Sequence, residues 1–166
     1  MTLFEKAKQF CLQTNIDATI VPQICTAFRD NELHYPYTVY DDTTDVLSYY
    51  IQQGYRNYLL TNNYPEIVDT MKRLGLDRYF TDYIVSSHVG YEKPRAELFR
   101  HALAKAGQPD ICYMVGDNPI ADIQGAHAAG IPAILVHTQT QIPHPGLFCK
   151  ELTDLKTLIT DPASYH

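Results

Sequence analysis

The chain has 166 residues, of which 45% are hydrophobic, and its formal net charge at pH 7 is −6. No apolar run reaches the length of a membrane span and the start has no signal-peptide pattern, so we expect a soluble, cytoplasmic protein without a membrane partner. The acidic charge is dispersed and leaves no basic face, which argues against a nucleic-acid partner.

The first 40 residues predict two helices, at residues 3–13 and 22–29. Thr2 and Glu5 have the spacing of a capping box for the first helix. Residues 20, 24 and 28 are apolar and repeat every four residues along the second helix. A tyrosine-rich, acidic stretch at residues 35–44 then leads to a different pattern. We therefore divide the chain into a helical element at 1–40 and a core at 41–166.

From residue 44 onward, helix and strand patterns alternate along the chain. This rhythm is typical of a parallel sheet covered by helices, so we predict an α/β, Rossmann-like, three-layer fold with a partial helical cap at the N-terminus. A proline-rich loop at 137–146 precedes a short edge segment and a last helix. The predicted strands are 55–60, 83–85, 111–115 and 131–136.

Two carboxylates occur where the third predicted strand gives way to a helix, in the segment Val-Gly-Asp-Asn-Pro-Ile-Ala-Asp at 115–122. Asp117 ends the strand, and Asp122 lies about one helical turn further on, close enough to support the same cation directly or through water. This spacing predicts a Mg²⁺ site. The alternative is that Asp117 or Asn118 only caps the helix.

Polar residues also follow the other predicted strands. Ligands of open parallel sheets bind beyond the carboxyl ends of the strands, where this chain has Thr61, Lys93 and Asp117. Singly, Thr61 could be a turn residue and Lys93 a solvated surface residue. Together the hydroxyl, the ammonium and the paired carboxylates predict a phosphate held beside Mg²⁺.

These segments resemble the haloacid dehalogenase-like superfamily of phosphohydrolases, in its helical-cap subgroup. Leu-Leu-Thr-Asn-Asn at 59–63 is similar to the second motif of that family, Glu-Lys-Pro at 92–94 to the third and Gly-Asp-Asn-Pro-Ile-Ala-Asp at 116–122 to the fourth. The resemblance implies Mg²⁺-dependent hydrolysis of a small phosphorylated metabolite.

The resemblance also implies a role for each matching residue. Thr61 and the Asn62 amide would bind the transferring phosphoryl group, and Lys93 would neutralise its charge and that of the nucleophile. Asp117 and Asp122 would hold Mg²⁺. Thr61 and Lys93 are thus the expected catalytic residues.

The first motif of the family, an apolar strand ending in Asp-x-Asp-Gly-Thr, is missing from this chain. Its aspartates supply the nucleophile and the general acid and base. Two upstream segments are weak substitutes. Asp41 and Asp42 are too close to Thr61 along the chain and fit a hinge in which Asp42 or Thr43 caps a helix, while no apolar strand precedes Asp17.

In the family the missing strand lies between the strands predicted here at 55–60 and 111–115. Two interior strands would then lack a neighbour, and unpaired backbone groups are costly to bury. Another segment fills the gap, the two strands close together, or the chain self-associates. The simplest explanation is a longer phosphatase in which Met1 is internal and an Asp-x-Asp-Gly-Thr strand lies upstream.

Two hypotheses about function follow from the missing motif. The first is a Mg²⁺-dependent phosphatase that has little or no activity as this polypeptide alone. The second is a non-catalytic protein of the same fold that binds a phosphorylated ligand or a protein partner. A dehalogenase is less well supported, because Lys93 with paired aspartates suits Mg²⁺-bound phosphate better than a halide.

Overall fold

The computed structural model describes residues 3–137 and 147–159. Within them the chain forms an α/β fold, as the alternating pattern predicts. The strands are β1 (Tyr58–Thr61), β2 (Asp82–Val85), β3 (Met114–Gly116), β4 (Ala133–Val136) and β5 (Leu147–Cys149). The α-helices are α1 (Leu3–Thr14), α2 (Val21–His34), α3 (Thr43–Gln52), α4 (Ile67–Arg73), α5 (Ser86–Val89), α6 (Ala96–Lys105), α7 (Gly125–Ala128) and α8 (Leu155–Leu158).

The strands form two parallel sheets instead of one. β1 pairs with β2, and β4 lies between β3 and the edge strand β5. β1 and β3 are not neighbours in either sheet. The interior strands therefore do not close on one another, and no other described strand lies between them.

Helices cover both faces of the β3–β4–β5 sheet, because successive residues of a strand point to opposite faces. Ile134 and Val136 of β4 pack with the apolar residues of α3 and α8. Ala133 and Leu135 pack on the other face with α6 and α7. This arrangement confirms the predicted three-layer fold.

The last described segment is tied to α3. The Tyr50 hydroxyl donates a hydrogen bond to the Leu155 carbonyl oxygen (2.6 Å), and Lys156 forms an ion pair with Asp45 (2.6 Å). The Asp42 carboxylate accepts a hydrogen bond from the Thr153 amide (3.0 Å). Of the two predicted caps, Asp42 and Thr43, Asp42 occupies the N-cap position of α3, but its side chain makes no capping hydrogen bond.

The N-terminal helices share a small apolar cluster, formed by Leu3, Ala7, Cys11, Val21 and Cys25. Val21 and Cys25 of α2 are buried, whereas Ile20 and Phe28 of the apolar repeat are 38% and 39% exposed. Ile24 of that repeat is half-buried and packs against the cluster. α2 begins at Val21, one residue before the predicted start and directly after a 3-10 turn that ends at Ile20.

Several predicted boundaries also shift. β1 begins at Tyr58, because the Tyr55 amide still bonds the Tyr50 carbonyl at the end of α3 (2.9 Å). β4 begins after Pro132, which has no N–H for a ladder. α2 continues five residues beyond the predicted end. Thr2 of the predicted capping box and loop residues 138–146 lie outside the described residues.

Among the helices that the structure describes, none is long and apolar enough to cross a bilayer.

Candidate active site

Lys93 connects the ends of β1 and β3. Its Nζ donates to the Leu60 carbonyl oxygen (3.0 Å) and to Asp122 Oδ1 (2.6 Å). The Lys93 and Asp122 side chains are only 12% and 5% exposed, and the attraction between charges is stronger away from water. Leu60 precedes Thr61, and Asp122 follows Asp117 by one helical turn. The structure thus brings Lys93 together with Asp122, and Thr61 and Asp117 lie one residue from groups in this network without a direct contact to Lys93.

Asn62 fixes the backbone around Lys93. The Asn62 side chain donates to the Lys93 carbonyl oxygen (2.9 Å) and accepts from the Lys93 amide (2.7 Å). Both polar atoms of the Asn62 amide side chain are therefore used within the protein. Asn62 therefore positions Lys93. The backbone N–H of Asn62, and not its side chain, is the candidate donor to a bound anion.

The structure shows which of the two residues after β3, Asp117 or Asn118, caps the following helix, a question that the sequence left open. Asn118 Oδ1 accepts hydrogen bonds from the amides of Ile120 (3.0 Å) and Ala121 (2.8 Å), so Asn118 caps the helical segment Pro119–Gln124, which leads into α7. Asp117 is exposed and lines a cavity at the end of β3. The Asp117 carboxylate is not used as the cap.

Gly116 lets Asp122 approach the strand. A Cβ atom built on Gly116 would lie 2.3 Å from Asp122 Oδ2. That oxygen also accepts a hydrogen bond from the Asn118 amide (3.0 Å). Any larger residue at position 116 would displace the carboxylate that pairs with Lys93.

The donor set is compatible with Mg²⁺. Mg²⁺ is commonly held by one or two carboxylates, with waters and substrate phosphate completing its six ligands. Asp117 offers an exposed carboxylate, whereas the oxygens of the nearly buried Asp122 are bonded to Lys93 and to the Asn118 amide. Across the described residues no cluster of three His, Cys, Asp or Glu side chains could bind a metal by itself. A bound Mg²⁺ would therefore need oxygen ligands from water or phosphate.

The carboxylates considered as substitute nucleophiles are engaged elsewhere. Asp17 caps the turn before α2 through the Thr19 amide (2.9 Å), and this hydrogen bond lowers the pKa of Asp17. Asp42 is bonded to Thr153. Neither carboxylate contacts Lys93.

The helical pair α1–α2 contacts the loops that carry this site, which the sequence did not predict. Lys6 of α1 forms an ion pair with Glu92, next to Lys93, and this hydrogen bond raises the pKa of Lys6. Arg29 of α2 pairs with Glu66 (2.9 Å). These partners are far apart in sequence, and no local pattern marks them.

Three further side chains, of Tyr37, Tyr40 and His137, line the same cavity as Asp117, and no sequence motif marks them. Tyr40 stacks on His137, with ring centroids 3.9 Å apart, and both line the same cavity as Asp117. Tyr37 lines it as well, whereas Tyr35 is half exposed and contacts the Tyr37 ring. Tyr37 and Tyr40 are thus the members of the tyrosine-rich stretch that face the candidate site.

The fold and this edge define a Rossmann-like α/β protein with a candidate site for an anion and a divalent cation. A family model for haloacid dehalogenase-like hydrolases matches residues 3–130. The chain therefore belongs to the haloacid dehalogenase-like hydrolases.

Relatives of known activity and solved structures are similar to the chain. A phosphoserine phosphatase of Thermus thermophilus is 34% identical over 116 residues, which are 69% of this chain and 46% of that protein. A glyceraldehyde 3-phosphate phosphatase of Methanothermobacter thermautotrophicus is 34% identical over 102 residues, 60% and 45% of the two chains. The chain spans about half the length of these relatives.

A HAD phosphatase from Thermococcus onnurineus has a similar structure, with a TM-score of 0.72 at 19% identity. The match covers 94% of this chain and 86% of that chain. At this identity the likeness shows the fold alone.

Proposed function

We propose that the protein is a Mg²⁺-dependent phosphohydrolase acting on a small phosphorylated metabolite. The observation that carries the proposal is the nearly buried Lys93–Asp122 ion pair, which lies between the end of β1 and the segment after Asp117. In this proposal Thr61 and the Asn62 backbone amide bind the phosphoryl group, while Asp117 and Asp122 hold Mg²⁺.

The local charge supports a metal-dependent anion site. The charges of Lys93 and Asp122 cancel, so the Asp117 carboxylate gives this edge a net charge of about −1, which repels phosphate. A bound Mg²⁺ would reverse the sign of that charge and attract the anion. Phosphate binding should therefore require the metal.

The same geometry supports little or no activity for this polypeptide alone. Asp17 and Asp42, the candidates for a substitute nucleophile, are bonded elsewhere. The alternative function, a non-catalytic protein that binds a phosphorylated ligand or a protein partner, rests on the same observation.

The substrate class is inferred from the relatives, two of which are named for phosphoserine and glyceraldehyde 3-phosphate. Both are small phosphorylated metabolites. We further propose that residues 1–40 act as a partial cap over a core at 41–166, with residues 35–42 as the hinge. The ion pair between Lys6 and Glu92 supports the placement of the cap beside the site, since it joins α1 to the loop of Lys93.

The test is calorimetric binding of inorganic phosphate with and without Mg²⁺. Lys93→Ala should weaken phosphate binding at least about tenfold, because a hydrogen bond to a charged group contributes about 1.5–3 kcal/mol. Lys72→Ala is the matched control, since Lys72 lies exposed on α4. Binding without Mg²⁺, or equal losses in both variants, would contradict the proposal.

A hydrolysis assay tests the non-catalytic alternative. We expect no Mg²⁺-dependent turnover of p-nitrophenyl phosphate by the 166-residue chain. Turnover that Asp117→Asn abolishes would reject the non-catalytic alternative and show that the chain carries its own nucleophile.

A further inference from the structure

Lys6 is a side chain of α1 that reaches the loops of the candidate site. Its Nζ forms an ion pair with Glu92 and lies 5.8 Å from the centre of the Tyr64 ring. Glu92 directly precedes Lys93, and Tyr64 follows Thr61 by three residues. One ammonium group on α1 therefore contacts both of the loops to which we assign phosphate binding.

A second, smaller cavity places the charges of this ion pair beside Asn62. The cavity has a volume of about 20 Å³, and Lys6, Asn62 and Glu92 are among the residues that line it. Since this is enough space for about one water molecule, the groups around it lie within a few ångströms of one point. The Asn62 side chain also bonds the Lys93 amide and carbonyl oxygen. The Lys6–Glu92 pair thus lies next to the residue whose backbone amide we propose as a phosphate donor.

Other contacts of the helical pair α1–α2 fix the position of Lys6 independently of its ion pair. Phe28 of α2 packs edge-on against the Tyr64 ring, with ring centroids 5.0 Å apart. Tyr64 also packs against the apolar cluster that α1 and α2 share. Arg29 adds an ion pair with Glu66, at the start of α4. Removing the charge of Lys6 should therefore leave α1 in place, since an ion pair between half-exposed side chains contributes little to stability.

The sign of the local charge gives the Lys6–Glu92 pair a role in anion binding. The charges of Lys93 and Asp122 cancel, and Asp117 already makes this edge negative. An uncompensated Glu92 carboxylate would add a second negative charge and repel phosphate further. The Lys6 ammonium cancels that charge, and its hydrogen bond to Glu92 keeps Lys6 protonated by raising the pKa of Lys6.

We propose that Lys6 is a positioning residue of the phosphate site, which acts by holding and neutralising the Glu92 carboxylate. The helical pair thereby sets the charge beside a site whose proposed ligands all lie on the core. This inference rests on the proposed function, because it concerns the affinity of that site for a phosphoryl anion. It does not require Lys6 to touch the anion.

The first experiment removes the charge of Lys6 and keeps the length of its side chain. Lys6→Met should weaken Mg²⁺-dependent binding of inorganic phosphate at least about threefold in calorimetry, because the Glu92 charge is then uncompensated. Lys6→Arg keeps the ion pair and should bind phosphate as wild type does. Lys8→Met is the matched control, since Lys8 is exposed on the same helix. Equal phosphate affinities of Lys6→Met and Lys8→Met would overturn the proposal.

The second experiment removes the carboxylate as well. Glu92→Gln should bind phosphate more tightly than wild type, and adding Lys6→Met to it should return the affinity to within about twofold of wild type. A purely structural role of the ion pair predicts a different result, since the double variant also lacks the pair. A double variant that binds phosphate as weakly as Lys6→Met would show that Lys6 contacts the anion directly or only holds α1 in place, and would overturn the proposal.

Phosphate binding by wild type separates this inference from the proposed function. If wild type does not bind phosphate in the presence of Mg²⁺, the proposed function fails and the role of Lys6 fails with it. If wild type binds phosphate and Lys6→Met binds it equally well, only the role of Lys6 is rejected. Urea unfolding checks the fold of each variant, and a loss of phosphate affinity in a Lys6→Met protein as stable as wild type supports the proposal.

Discussion

Asp117 and Asn118 are adjacent in sequence but have different roles in the structure. The Asn118 side chain stabilises the turn after β3, while Asp117 faces the cavity. The sequence places both residues correctly, because an apolar strand followed by Gly116 determines where the chain turns. It could not assign the two roles, since either side chain is a good cap.

This division predicts different losses for the two residues. Asn118→Ala should lower the free energy of unfolding by about 1 kcal/mol, the usual cost of a lost cap. Asp117→Asn should leave stability within about 0.5 kcal/mol of wild type, as at most surface positions, yet weaken Mg²⁺ binding. Urea unfolding and metal titration measure the two effects. The reverse pattern would show that Asp117 is the cap.

Tyr37 connects the hinge to α2. Its hydroxyl donates to Glu32 Oε1 (2.7 Å), and Glu32 is buried. Burial and this hydrogen bond raise the pKa of Tyr37 to about 12. The folded state thus keeps a proton that an unfolded tyrosine loses near pH 10.

The raised pKa of Tyr37 predicts a loss of stability at alkaline pH. Between about pH 10 and 12 the unfolded state binds fewer protons than the folded state, so the free energy of unfolding falls as pH rises. Tyr37→Phe should make this fall shallower in urea unfolding. Tyr91→Phe, at an exposed position, is the control and should keep the wild-type slope. Equal slopes in wild type and Tyr37→Phe would contradict the assignment.

At the scale of the elements, α7 presses against the loop that carries Lys93. A Cβ atom on Gly125 would lie 2.6 Å from the Phe99 ring and 2.8 Å from Pro94 Cα. Pro94 directly follows Lys93, so this close approach helps to set the position of the ammonium group.

Gly125→Ala should therefore destabilise the protein by about 1–3 kcal/mol through overpacking, despite the better helix propensity of alanine. Gln124→Ala, at the exposed neighbouring position, is the control and should be nearly neutral. Urea unfolding compares the two. A Gly125→Ala protein as stable as wild type would show that the loop moves aside at little cost.

The elements themselves were largely predictable, because alternation and glycine or proline breaks are local signals. Errors at the ends of elements arose where local backbone hydrogen bonds decide. α2 starts at Val21, directly after a 3-10 turn, and β1 starts late because the Tyr55 amide still bonds the end of α3. The pairing of Lys6 with Glu92 spans 86 residues, and no periodic pattern can encode such a contact.

At the scale of the whole molecule, the order of the motifs predicted which loops meet. Thr61, Lys93 and Asp117 each follow a strand, and parallel strands bring such positions to one edge. The missing first motif also pointed to a gap between two interior strands. The sequence could not show that the strands form two separate sheets, or that Lys93 bridges them near their ends.

The contact between α3 and the last described segment bears on how the chain is made. The hydrogen bond from Tyr50 to Leu155 joins residues 105 positions apart. Ribosomes add about 5–20 residues per second, so α3 waits about 5–20 seconds after it is synthesised before its apolar face can be covered. During that interval the apolar face of α3 is exposed on the nascent chain, where chaperones that hold unfinished proteins can bind it.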